Sequence, residues 1–189
     1  EKVGRFTGAI KPKDYEEMAA EIEVQRRHLG IEAEMIPKSE QHREVGTDQY
    51  HGGRVLHYGG LLQPALYHQG LLDLALEAGV AVAARTKVTA ITREGAGFKV
   101  VSEQGTVNAD NVIAATNGYT GKLTPWLRRR IIPIQSQIIT TEPLAPQVVD
   151  RLIPNRRMLG DTCKLHHYYR RSPDGARLIF GGRAGATEL

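Results

Sequence analysis

Residues 63–84 read QPALYHQGLLDLALEAGVAVAA. Pro64 suits the first turn of a helix, and Leu66, Leu71, Leu74, Ala75 and Ala78 then recur along one face. Gly79 stops that helix, and Val80–Ala84 is short and wholly apolar, as a buried strand would be. A helix that feeds a buried strand across one glycine is the second half of a βαβ unit, so the stretch predicts an α/β layer. Its first strand should lie earlier, and no convincing candidate precedes it.

Working outward, residues 87–108 predict an antiparallel meander. KVTAITR, FKVVS and TVN are strands, and Glu94-Gly95-Ala96-Gly97 and Glu103-Gln104-Gly105 are the turns. The next strand expected is Asn111–Ala115. Upstream, VGRFTGAI reads as a strand. Residues 12–29 predict a helix with Tyr15, Met18, Ala19 and Ile22 on one face, Pro12 in its first turn and Gly30 beyond its end. A short helix is expected from Ser39, read as its N-cap, just after Pro37. Residues 50–62, YHGGRVLHYGGLL, read as loop with short strand pieces. Downstream, prolines punctuate a strand-like IIPIQSQIITT, and a turn at Ser172-Pro173-Asp174-Gly175 separates HHYYRR from RLIFGGRAG.

The whole chain has 189 residues, 25 basic and 21 acidic, for a net charge of +4. That mild excess permits an anionic ligand and does not argue for nucleic acid. Its one cysteine, Cys163, excludes an internal disulfide and a cysteine-based metal site, and favours a reducing, cytoplasmic setting. No apolar run approaches the roughly 18 residues that span a bilayer. The chain starts at Glu1, in a sequence that already reads as a strand, so a trimmed terminus and a piece of a longer protein both stay open.

Residues 111–121, NVIAATNGYTG, carry the first functional signal. An apolar strand ends here in small residues, and in open α/β sheets ligands sit beyond the carboxyl ends of strands. Ala115, Thr116, Asn117 and Gly118 leave the backbone open to close approach. A tight turn in which Asn-Gly supplies positive φ is the competing reading.

Five stretches, in this order, resemble the FAD-dependent D-amino-acid oxidase family: GLLQPALYHQGLLDLALEAGV, KVTAI, NVIAATNGY, IIPIQSQIITTEPL and YYRRSPDGARLIFGGRA. GRFTGAI and GIEAEMIPKSEQHREVGTDQYHGG add a likeness to its bacterial γ-glutamylputrescine oxidase branch. The resemblance implies a mixed α+β and α/β fold, with part of an FAD-binding α/β domain interleaved with a β-rich substrate-binding domain. Residues 1–60 would belong to the substrate domain and connecting helices, 61–118 to the FAD domain, 119–177 to the β-rich substrate domain, and 178–189 to a strand returning to the FAD domain. Members open on a strand and a G-x-G-x-x-G turn that seats the FAD pyrophosphate. No such turn opens a helix here, and the family's last FAD segment is nearly missing, so the chain looks like the middle of such an enzyme, inactive alone.

The resemblance also implies a site. It places Val88 against adenine through its backbone, the segment Ala115–Gly118 near the FAD, and Gly181-Gly182 beside the flavin ring. An inward strand residue for Val88, and a bulge or turn for the glycine pair, are the alternatives. Tyr168 and Arg170 would face the substrate, the phenol orienting an amine or carboxylate and the guanidinium gripping a carboxylate. Alternation puts these two on one face of their strand and Tyr169 on the other. The two glycine-bearing tips, at Gly118 and Gly182, are expected to converge on the cofactor.

Other motifs point nowhere specific. His51, His57, His68, His166 and His167 lack metal-ligand spacing, and no metal is expected. Arg128-Arg129-Arg130 reads as a solvated face, and Cys163 as an inert thiol. No catalytic acid, base or nucleophile is assigned. The sequence therefore predicts an FAD-dependent oxidoreductase acting on the C–N bond of a small amine or amino acid, a γ-glutamylated polyamine foremost. It binds no nucleic acid, and its oligomeric state is left open. The alternative is a non-catalytic module that binds a small molecule or a protein.

Overall fold

A computed structural model describes residues 1–183. Its elements, in chain order, are β1 (Arg5–Gly8), α1 (Pro12–Leu29), β2 (Ala33–Ile36), a 3₁₀ turn (Lys38–Arg43), β3 (Gly53–Leu56) and α2 (Pro64–Glu77). The meander β4 (Val88–Glu94), β5 (Gly97–Ser102) and β6 (Gly105–Ala109) follows, then a 3₁₀ turn (Asn117–Tyr119) and α3 (Pro125–Arg128). The chain continues through β7 (Ser136–Thr140), α4 (Pro146–Leu152), β8 (Met158–Asp161), β9 (His167–Arg171) and β10 (Leu178–Arg183). The chain divides into two units, one of residues 1–67 with 135 onward, the other of residues 68–134.

The first unit is built on a seven-stranded sheet of order β2-β3-β1-β8-β9-β10-β7. Only β1 and β8 run parallel; the other neighbours are antiparallel. Residues opposed in a ladder point to the same side, so the register sorts the side chains. One face carries Val55, Phe6, Leu159, Tyr169 and Phe180, and the other carries Arg54, Thr7, Gly160, Tyr168, Gly181 and Ile138. The core lies on the first face, where Phe6, Ile36, Val45, Tyr50, Val55, Ile153 and Leu159 are all buried. Two glycines are forced by it. A Cβ at Gly8 would meet the Tyr50 ring at 2.5 Å, and one at Gly53 would meet the Phe6 ring at 2.5 Å.

Helix α1 forms where the sequence places it. Pro12 needs no backbone partner in the first turn, and the Asp14 carboxylate accepts the Lys11 N–H at 3.2 Å. Gly30 closes it in the left-handed region at φ 63°, its N–H donating to Arg26 O at 3.1 Å. Met18 and Ile22 are its buried residues. Glu21 pairs with Arg54 at 2.8 Å and ties the helix to the second face of the sheet. The helix expected from Ser39 is the 3₁₀ turn Lys38–Arg43, with Pro37 rather than Ser39 at its cap.

The second unit holds the meander, an antiparallel sheet of order β4-β5-β6. Its turns fall at the glycines the sequence marks, with Gly95 at φ 58°. Two expected strands do not form. Val80–Ala84 and Asn111–Ala115 lie in no ladder among the described residues, and Val80 and Val82 are exposed. Extended chain becomes a strand only when a neighbour takes up its backbone N–H and C=O groups, and neither segment has one here. Helix α2 likewise has no buried residue, and Leu66, Leu71 and Leu74 stand open on it.

The last described strand stays in the large sheet. β10 pairs with β9 and β7. Residues 184–189 of segment 178–189 lie outside the described residues.

Candidate functional site

In the second unit, the opening of β4 and the unladdered segment 111–116 enclose a cavity of about 890 Å³. Val88, Ala115 and Thr116, three of the residues singled out from sequence, line it together with Ala114, Lys87 and Lys122. Asn117 and Gly118 follow in the 3₁₀ turn Asn117–Tyr119. The turn is pinned from inside: the buried Thr120 hydroxyl donates to Asn117 O at 2.6 Å and lies 2.7 Å from the Thr116 hydroxyl. Asn117, not Gly118, adopts the positive φ, at 45°. Gly118 is therefore free of a backbone reason to be glycine, and a Cβ there would meet nothing within 4 Å.

The glycine pair of β10 behaves differently. Gly181 and Gly182 lie in regular register with Tyr168 and His167, at neither a bulge nor a turn. A Cβ on Gly181 would sit 2.1 Å from the Tyr168 ring, so the ring already uses the space. One on Gly182 would meet His167 Cδ2 at 3.3 Å.

Tyr168 and Arg170 share the second face of the large sheet, and Tyr169 takes the first, as alternation requires. The Tyr168 hydroxyl is hydrogen-bonded to Ser136 Oγ. Arg170 donates from Nη1 to Leu62 O at 2.9 Å and lines a cavity of about 490 Å³ with Leu61, Leu62, Leu66, Tyr67 and Arg171. Tyr168 does not line that cavity.

Sequence reasoning missed Tyr50. Its hydroxyl meets that of Tyr169, and burial pushes both phenols above their ordinary range. Burial, reinforced by the Asp161 charge, also raises the Cys163 thiol, which is thus not poised as a nucleophile. Arg130 lies over the Trp126 ring, 3.8 Å from its centroid, so the arginine run ends in a local cation–π contact.

The cavity of the second unit is lined mainly by apolar and small residues, with Lys87 and Lys122 among its charged ones. Ala114, Ala115 and Thr116, outside any ladder, form part of its lining. No helix among the described residues is long and apolar enough to cross a membrane.

Comparisons with known proteins bear on the same point. The chain is 32% identical over 175 residues to the gamma-glutamylputrescine oxidoreductase of Escherichia coli, a match covering 92% of this chain and 41% of that protein. It is 29% identical over 192 residues to the probable oxidoreductase OrdL of Haemophilus influenzae, covering 99% and 44%. The chain thus spans less than half the length of these curated relatives. Among solved structures it resembles L-proline dehydrogenase from P. horikoshii (TM-score 0.76, 18% identity, all of this chain and 51% of that one). Glycine oxidase from Geobacillus kaustophilus gives a TM-score of 0.72 at 14% identity, over all of this chain and 50% of that one. Those likenesses establish the mixed α/β fold of the FAD-dependent oxidases. With residues 2–188 matching the family described as FAD dependent oxidoreductase, this chain belongs to that family, the DAO family.

Proposed function

We propose that the protein oxidises the C–N bond of a small amine or amino acid, with a γ-glutamylated polyamine as its leading substrate. The observation that carries the reading is the small-residue segment 114–116 opening onto a large cavity beside Val88. The likeness to the gamma-glutamylputrescine oxidoreductase supports the substrate class.

Bound FAD would supply the hydride acceptor for the carbon that bears the nitrogen. Val88, Ala115, Thr116, Asn117 and Gly118 would hold the cofactor, chiefly through backbone groups. Arg170 would grip a substrate carboxylate, such as the one a γ-glutamyl group carries, and Tyr168 would orient its polar end. No nucleophile or carboxylate pair is needed from the chain, because holding the reacting carbon in place is most of the task.

The test is anaerobic mixing of the purified full-length protein, supplied with FAD, with γ-glutamylputrescine, glycine, sarcosine and proline. Bleaching of the flavin band by the γ-glutamylated amine at far lower concentration than by the others is expected. Flavin that binds yet is bleached by none of them would sink the substrate class.

A further inference from the structure

The hairpin joining β8 to β9 brings together three metal-ligating side chains that no part of the oxidoreductase reading uses. Asp161 ends β8, His167 opens β9, and Cys163 lies between them. The Asp161 carboxylate is only 4% exposed. It accepts the N–H of Cys163 at 3.0 Å and of His167 at 3.3 Å, and lies 2.7 Å from His167 Nδ1. One donor atom from each of Asp161, Cys163 and His167 falls within 4.8 Å of the other two. All three residues line a cavity of about 400 Å³ that is otherwise largely apolar, walled by Tyr50, Tyr169 and Phe180.

We propose that Asp161, Cys163 and His167 form a binding site for a divalent transition-metal ion of the zinc class, with one coordination position open toward this cavity.

Three features converge on that reading. The donor set mixes carboxylate, imidazole and thiolate, which suits zinc and its neighbours and does not suit calcium or magnesium. Ligands held at about 2.0–2.3 Å from one ion must lie within about 4 Å of each other, so side-chain rotation of an ångström closes the site. And the Asp161 carboxylate, only 4% exposed, has no lysine or arginine ion-paired with it among the described residues, only His167, so an ion would supply the opposite charge it lacks. The two backbone N–H groups on Asp161 fix the hairpin before any ion arrives, which lowers the ordering cost of binding.

The exchange involves no redox step. As the sulfur–metal bond forms, the Cys163 thiol proton passes to solvent, and His167 binds through an unprotonated ring nitrogen. His167 and Tyr169 lie on the face of the sheet opposite Tyr168 and Arg170, so the site would brace the β8–β9 hairpin from the far side. It is independent of the proposed amine oxidation.

The purified full-length protein, stripped with a chelator, is titrated with Zn²⁺ alone by calorimetry in two buffers of different ionisation enthalpy, and with Co²⁺ in the spectrometer. One ion per chain, release of a proton, and a thiolate-to-cobalt charge-transfer band are expected. Cys163→Ser and His167→Gln should each weaken binding by more than the roughly 10–100-fold that follows loss of an outer-shell partner. Both variants are checked for native circular dichroism, and Asp161 is left untouched because its burial makes its replacement a folding risk. A folded protein that takes up no Zn²⁺, or one whose uptake is the same in both variants, overturns the proposal.

Discussion

The hydroxyls of Tyr50 and Tyr169 lie 2.8 Å apart, joining positions separated by 119 residues in sequence. Tyr50 also packs edge-on to Phe6, at 6.3 Å between centroids, and Tyr169 stacks on Phe180 at 5.7 Å. The pair links the loop before β3 to the centre of the large sheet. Removing one hydroxyl strands the other in a half-buried, apolar place. Tyr50→Phe and Tyr169→Phe should each destabilise by about 1–2 kcal/mol, and the double variant by less than the sum. Urea unfolding of the four proteins measures this.

The same pair sets a pH dependence. Burial favours the neutral phenols, so their folded pKa lies above the ordinary 10.0. Stability from that preference is complete below the ordinary tyrosine value and drains away as pH rises beyond it, because the unfolded chain ionises first. Spectroscopic titration of the folded protein should leave two tyrosines un-ionised above that value, and the double Phe variant should lose the alkaline fall in stability.

Asp14 acts at the other end of the scale. The Thr162 hydroxyl donates to its carboxylate and holds its pKa below the ordinary value. A depressed carboxylate contributes above its unfolded pKa, and the contribution is lost as pH falls through the folded value. Asp14→Asn should therefore flatten the acid side of the stability curve and leave the alkaline side unchanged, as thermal midpoints across pH would reveal.

The two glycine positions call for opposite outcomes. Gly181→Ala drives a methyl into the Tyr168 ring and should destabilise by about 1–3 kcal/mol, relieved when Tyr168→Ala is added. Gly118→Ala meets nothing and needs no unusual φ, so stability should move by less than about 0.5 kcal/mol. If segment 114–118 seats the cofactor, that same variant should still weaken FAD binding, by about tenfold. Denaturation curves and flavin fluorescence separate the two effects.

Much of the fold was legible where its causes are local. Pro12, the 3.6-residue spacing of Met18 and Ile22, and Gly30 specify α1 within one segment; glycine turns specify the meander. Val80–Ala84 and Asn111–Ala115 misled because apolar, extended sequence says nothing of whether a pairing neighbour exists. Within the candidate site, Val88, Ala115 and Thr116 line one cavity, although the strand Asn111–Ala115 whose end is expected to form it is absent among the described residues. The Tyr50–Tyr169 pair left no such trace, since only β1, β8 and β9 lying side by side bring its ends together. In the sequence, Cys163 and His167 are set aside as metal ligands for want of ligand spacing, because a hairpin, not a helical repeat, gathers them with Asp161.

The central claim is that the cavity lined by Val88 and segment 114–116 belongs to a flavin. Its most direct test is equilibrium titration of the apo, full-length protein with FAD, followed by quenching of the free cofactor's fluorescence. Saturation at one FAD per chain, weakened by Gly118→Ala in a protein of unchanged stability, is the expected result. A folded protein that leaves FAD fluorescence untouched at every concentration would contradict the account.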